Sequence, residues 1–195
     1  SGQGPGLNSS FRSLISGLFS SEPDPMIHPK TCILPLLACM AISACTPTGS
    51  GTSGSGLDIQ ASAAGPASCS PTTAAQVAAG VRATNALRAR SNLPPVTARR
   101  ELSVAAAQHA CDMAERGRMT HAGSRTSGPA QRAKAQGYAP RVTAENIAAG
   151  PFDIERVLAE WNNSPGHQAN ILISPVRHFG IGHAMGADGR TRYWA

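Results

Sequence analysis

The chain has 195 residues, 41% hydrophobic, 4% aromatic and 14% charged, with a net charge of +6. That length fits one domain rather than two. The cations are nearly all arginine, scattered singly or in pairs such as Arg99 and Arg100, and Phe, Trp and Tyr number only eight; neither a basic stripe nor a set of stacking aromatics is present, which argues against nucleic acid as a partner.

Residues 1–25 are polar and rich in Gly, Pro and Ser, and read as an upstream extension outside the fold. From Met26 the chain has secretory-signal anatomy: a short segment with Lys30, an apolar stretch from Cys32 to Ile42, and small residues before Cys45. Ile42-Ser43-Ala44-Cys45 resembles a bacterial lipobox, so 26–45 is read as a signal peptide ending at an acylated Cys45; conventional cleavage after Ala44 is the other reading. Either way the product is exported, as a cell-envelope lipoprotein or a secreted protein. Residues 46–70 are Gly, Ser, Ala and Thr with little to bury, and are expected to be a flexible linker. The folded body is then 71–195. With Cys32 and Cys39 in the signal and Cys45 acylated, Cys69 and Cys111 remain. In an oxidising compartment they predict one disulfide, the alternative being two buried thiols.

Within the body, Thr72 or Thr73 caps a helix carrying Val77, Val81, Thr84 and Leu87 on one face, ended by Asn92-Leu93-Pro94-Pro95. A second helix runs from about Ala98 to Arg116, with Gly117 as its C-terminal stop. Pro129 opens a short third helix, and Asp153 caps a fourth whose Ile154, Val157, Leu158 and Trp161 share a face before Ser164-Pro165-Gly166 breaks it. Strands are expected over 142–148, over 179–185 and, after the Asp188-Gly189 turn, over 191–194. Helices followed by a terminal antiparallel hairpin predict an α+β fold.

Three polar residues stand in unusual settings: His121 after the second helix, Glu145 among apolar neighbours, and His167 after Trp161. Two imidazoles and a carboxylate can hold Zn²⁺ with positions open to water. Separations of 24 and 22 residues are no metal motif, however, and three separately hydrogen-bonded polar groups account equally for the pattern. His109, on the apolar stripe of the second helix, reads as a satisfied core histidine, and His178 and His183 receive no role.

The order of short segments between Val77 and Trp194 resembles the CAP superfamily of cysteine-rich secretory proteins, antigen 5 and plant pathogenesis-related proteins, with its bacterial SCP-like members. The segments are Asn85-Ala86-Leu87-Arg88, His109-Ala110-Cys111-Asp112-Met113-Ala114, Met119-Thr120-His121, Gly137-Tyr138, Ala144-Glu145-Asn146-Ile147-Ala148, Trp161 to Leu172 with Ser164-Pro165-Gly166-His167, Gly180-Ile181-Gly182 and Tyr193-Trp194. The resemblance implies an α-β-α sandwich, an antiparallel sheet between helices. It also implies a cleft built on two His and two acidic residues that holds a divalent metal in some members. His121, Glu145 and His167 match three of those positions, with Asn146 and Trp161 beside them. Where the fourth should fall the chain offers 127–132 and no carboxylate. Two outcomes follow: the three residues bind Zn²⁺ or another divalent ion, or Arg132 takes the missing position, pairs with Glu145 and leaves the protein metal-free at neutral pH. The missing acid favours a binding module, expected to be a monomer on a lipid anchor in the membrane, for a small apolar ligand, lipid or cell-wall component. A metal-assisted hydrolase of peptide or cell-wall polymer using His121, Glu145 and His167, and a structural or host-interaction surface protein, are the alternatives.

Overall fold

A computed structural model describes residues 58–195; the expectations for the upstream extension, the signal peptide, Cys45 and the first part of the linker lie outside those residues. The long helices form where local chemistry dictates. Helix α1 (Ala74–Arg90) starts on a reciprocal capping box between Thr73 and Gln76, and α2 (Arg100–Arg116) stops at Gly117 in the left-handed region. Helix α3 (Pro129–Ala135) has Pro in its first turn, and α4 (Ile154–Asn163) is capped by the Asp153 carboxylate. A fifth helix, α5 (Pro165–Ile171), follows at once. Ser164-Pro165 ends one helix and opens the next, because proline costs nothing at a first helical position.

The central sheet has three short antiparallel strands: β4 (Ala148–Gly150), β7 (Arg192–Trp194) and β6 (His183–Met185), in the order β4-β7-β6. Two minor ladders flank it: β1 (Ile59–Gln60) antiparallel to β3 (Arg118–Met119), and β2 (Thr97–Ala98) parallel to β5 (His178–Phe179). One sheet face, Ala184 and Tyr193, packs on Ala110, Met113 and Ala114 of α2; the other, Ala148 and Trp194, packs on Val157, Leu158 and Trp161 of α4. This is the α-β-α sandwich. Close helix approach needs the small residue just before β6: a Cβ on Gly182 would run into the Ala107 main chain.

Three expectations need correction. The strand expected over 142–148 is confined to its end, at Ala148–Gly150, because the loop before it is held by side chains rather than a ladder. The strand expected over 179–185 is divided into β5 and β6, and β5 pairs in parallel with β2. Most consequentially, the described part of the expected flexible linker is a strap on the domain. The Ala61 and Ser62 amides donate to the Gly117 carbonyl, Ser62 Oγ lies 2.8 Å from the Tyr193 hydroxyl, Ser68 pairs with Met185, and Cys69 is disulfide-bonded to Cys111 on α2. Small residues gave no apolar pattern to read; the strap is held by main-chain bonds and one covalent bond. Closing a loop over a sequence separation of 42, the disulfide restricts the unfolded chain, for a stabilisation of about 4 kcal/mol.

Candidate functional site

Glu145 sits two residues before the core residue Ile147, in the loop that enters β4. Asn170 Nδ2, from α5, donates to the Glu145 carbonyl (3.1 Å) and to Asn146 Oδ1 (2.9 Å), while Asn146 Nδ2 donates to the His167 carbonyl (3.2 Å). Trp161 Nε1 donates to the Ile147 carbonyl at 3.4 Å. The loop is thereby stitched to α4 and α5, and the Glu145 side chain turns inward, only 10% exposed.

Three nitrogen groups surround that carboxylate. Arg132 Nη2, buried on α3, donates to Oε1 at 2.7 Å and Oε2 at 2.6 Å. His121 Nδ1, just beyond β3, donates to Oε1 at 2.9 Å, and His109 Nε2 lies 3.7 Å from the same oxygen. Arg132 Nη1 also donates to the His121 carbonyl and to Thr126 Oγ1, both at 3.1 Å, so one guanidinium fixes both the carboxylate and the main chain of the histidine beside it. With Nδ1 carrying the proton toward Glu145, the Nε2 lone pair of His121 is left without a partner among the described residues, on a ring 41% exposed.

Burial works against ionising Glu145, but the His121 hydrogen bond, the His109 imidazole and Arg132 more than offset it and hold the carboxyl below its ordinary range. His109 is 1% exposed, and burial pushes it down to about 4. At neutral pH it is therefore uncharged, and the offset falls to Arg132 and the His121 N–H. His109 Nε2 meets the Thr120 carbonyl at 2.9 Å, as expected of a core histidine, while its Nδ1 is buried without a partner. His167 is also depressed, by burial and then by His121, and its ring centroid lies 6.5 Å from that of Trp161. Its main chain, rather than its ring, ties it to the Glu145 loop.

An acid-labile fold follows. A histidine at about 6.5 in the unfolded chain and about 4 in the folded one binds its proton more readily when unfolded, so its contribution is complete above pH 6.5 and disappears as pH falls to 4. The loss is about 3 kcal/mol at about 1.4 kcal/mol per pH unit. Glu145, also depressed, adds to the loss below the ordinary carboxylate range. Thermal melts from pH 7.5 to 4 should show a midpoint that holds down to about pH 6.5 and falls below it, and His109→Gln should flatten the upper part of that fall. A wild-type midpoint constant down to pH 4.5 would contradict the assignment.

The residues present do not fit a metal ion. Both Glu145 oxygens already face a guanidinium whose charge would repel the cation, and His121 Nδ1 is committed as a donor. Among the described residues, the trio of His, Cys, Asp or Glu ligand atoms lying within 4.8 Å of one another is Cys69, Cys111 and Glu115, whose sulfurs are spent in the disulfide. Of the two outcomes the sequence left open, the Arg132 pair is the one the geometry displays.

Beside this centre runs a groove of about 650 Å³ whose apolar lining includes Leu102, Val142, Leu158, Trp161, Val176 and Phe179. Val142 is 47% exposed at its surface. Glu145, Asn146 and Trp161 all line it; sequence reasoning missed Tyr138, Arg141, Arg177 and His178, which line it too. Tyr138 and His178 are 40 residues apart and bonded only by tertiary folding, so no local pattern could have joined them.

A three-layer sandwich with a histidine-flanked buried carboxylate at one loop cluster defines an SCP-type domain. The chain belongs to the cysteine-rich secretory protein (CAP) family, whose model matches residues 81–195. It is 33% identical over 103 residues to the uncharacterised protein YkwD of Bacillus subtilis, a match covering 53% of this chain and 40% of that one, so it aligns with well under half of this relative's length. Among solved structures it is similar to an SCP-domain extracellular protein of Bacillus anthracis (24% identity, TM-score 0.52, 64% of this chain and 43% of that one). An outer surface protein of Borrelia burgdorferi matches at 22% identity and TM-score 0.55, over 63% of this chain and 90% of that one.

Proposed function

We propose that this protein is an exported bacterial binding module, held to the cell envelope by a lipid on Cys45, whose groove takes a small apolar ligand, a lipid or a cell-wall component. The observation that carries the reading is the apolar groove beside a carboxylate whose metal-binding capacity is consumed by Arg132. The disulfide suits an oxidising compartment, and the relatives described as extracellular or outer-surface proteins fit export. Titration with 1-decanol below its solubility limit should change the emission of Trp161, and Trp161→Phe should remove that change. A folded protein whose fluorescence and calorimetry are both silent to decanol would sink the groove as an apolar site.

For the anchor, Cys45→Ser should move the protein from the membrane fraction to the soluble one, since several acyl chains at one cysteine, each adding about 0.8 kcal/mol per buried CH₂, hold far more firmly than one. Unchanged partitioning would leave a plain secreted protein.

One observation favours a second reading, hydrolysis of peptide or cell-wall polymer. His121 presents a free Nε2 lone pair while its Nδ1 proton is held by a buried, ionised Glu145, an arrangement suited to a general base. On that reading His121→Gln abolishes turnover of cell-wall fragments and leaves decanol binding intact; equal activity in parent and variant would remove it.

A further inference from the structure

The groove contains a second polar position that shares no hydrogen bond with the Glu145 centre. Tyr138 Oη lies 2.6 Å from His178 Nδ1, and Arg99 Nη2 lies 3.2 Å from His178 Nε2. A guanidinium nitrogen can only donate, so His178 Nε2 must accept and the ring proton must sit on Nδ1. Nδ1–H then donates to the phenol oxygen. This fixes the direction of the chain of bonds: Arg99 to His178 to Tyr138. Tyr138 receives a hydrogen bond and keeps its own O–H free to donate, and both Tyr138 and His178 line the groove.

The charge of the lining points the same way. Besides Arg132, which Glu145 neutralises, Arg141 and Arg177 line the groove, and neither has a carboxylate within 4.0 Å among the described residues. Arg177 spends Nη1 on the Ser174 and Val176 carbonyls and keeps its remaining donors; Arg141 is exposed. Among the described residues, the only acidic side chain lining the groove is Glu145, already saturated. An apolar groove therefore carries two uncompensated guanidiniums and one free hydroxyl donor. A neutral ligand would leave all of them unanswered.

We infer that Tyr138, Arg141 and Arg177 form a phosphate-accepting subsite, and that the ligand of the groove is a single-chain alkyl or prenyl phosphate. This rests on the apolar-ligand reading above and adds the head group to it. A phosphate monoester is favoured over a carboxylate by donor count. Two guanidiniums and a hydroxyl offer more donors than two oxygens can accept in good geometry, whereas a phosphate presents three terminal oxygens and suits the guanidinium fork. The apolar chain lies along Val142, Val176 and Phe179. His178 and Arg99 do not touch the ligand; they are positioning residues that set which way the Tyr138 hydroxyl donates.

Calorimetric titration with decyl phosphate, decanoate, decanol and inorganic phosphate at neutral pH, below the micelle concentrations, tests this directly. Decyl phosphate should bind roughly tenfold or more tighter than decanol, the equivalent of one charged hydrogen bond, and tighter than decanoate, with inorganic phosphate alone weaker than any of them. Tyr138→Phe, and Arg141→Gln combined with Arg177→Gln, should each cut the phosphate advantage to roughly threefold or less while decanol affinity stays at the parent value, which also shows that the variants are folded. Arg190→Gln, on the exposed hairpin away from the groove, should leave every affinity unchanged. Decanol or decanoate binding as tightly as decyl phosphate overturns the subsite and spares the groove, as does a phosphate preference that survives in both variants. Failure of all four compounds to bind overturns the groove reading and the subsite together.

Discussion

Replacing Arg88 by alanine is expected to cost more than about 4 kcal/mol of stability, enough to leave a domain of this size largely unfolded. The side chain is 0% exposed. Nε donates to the Pro94 carbonyl (2.8 Å), Nη1 to Ile171 (2.8 Å) and Ile173 (3.0 Å), and Nη2 to Val176 (3.0 Å), with Ser174 farther away at 3.5 Å. No carboxylate lies within 4.0 Å of it among the described residues; the charge is balanced by carbonyl dipoles alone. Truncation strands at least four carbonyls in the interior, at about 1–3 kcal/mol each where they cannot reach water, and opens a cavity. Arg88→Lys should recover little, because one ammonium on a flexible stem cannot reach acceptors arrayed around a planar fork. Urea denaturation of both variants measures the difference. A loss under about 2 kcal/mol would mean that the 171–176 segment relaxes to solvent when released. Because Ile171, Pro175 and Val176 also line the groove, a surviving variant should bind decanol more weakly as well.

That arginine marks the boundary between what was readable in the chain and what was not. Features set by neighbours in sequence were legible: the Thr73 cap, the Gly117 stop, the Asp153 cap and the Pro129 start. Arg88 stood in the sequence as part of a short family-like segment, but apart from Pro94 its partners are main-chain oxygens 83 to 88 residues away, which no pattern of side chains announces. The strap escaped for the same reason, being fastened by amides rather than apolar residues. At the site, His121 and Glu145 stood out by their settings before the family resemblance joined them, and the absence of an acid before Arg132 raised the pairing that the geometry displays. What resemblance could not supply was His109 as a second imidazole facing Glu145, or the Arg99, His178 and Tyr138 chain. These depend on how layers stack, and they lie where this chain's own chemistry is concentrated.

Arg132→Glu should remove a stabilising charge and turn a centre that excludes cations into one that binds them. Removing the guanidinium strips Glu145 of its bidentate partner inside the protein, a change that typically costs about 3–5 kcal/mol. The incoming carboxylate adds like-charge repulsion, which raises the pKa of one member of the pair. Metal-free protein should therefore melt well below the parent. With two carboxylates and His121 available, Zn²⁺ then finds the donor set that Arg132 denies it, and its binding to the folded form alone should restore the melting temperature as its concentration rises. Affinity should fall as the pH is lowered, because a ligating imidazole must be neutral and a ligating carboxylate ionised. Arg132→Met separates the two effects: it removes the repelling charge but supplies no ligand, so it should be destabilised like the glutamate variant and rescued by Zn²⁺ far less. Calorimetry and melting curves of the three proteins with Zn²⁺ at pH 7.5 decide the matter. If the parent binds Zn²⁺ as tightly as the glutamate variant does, the guanidinium yields to the metal, and the site is a metal centre with a displaceable arginine rather than one closed by it.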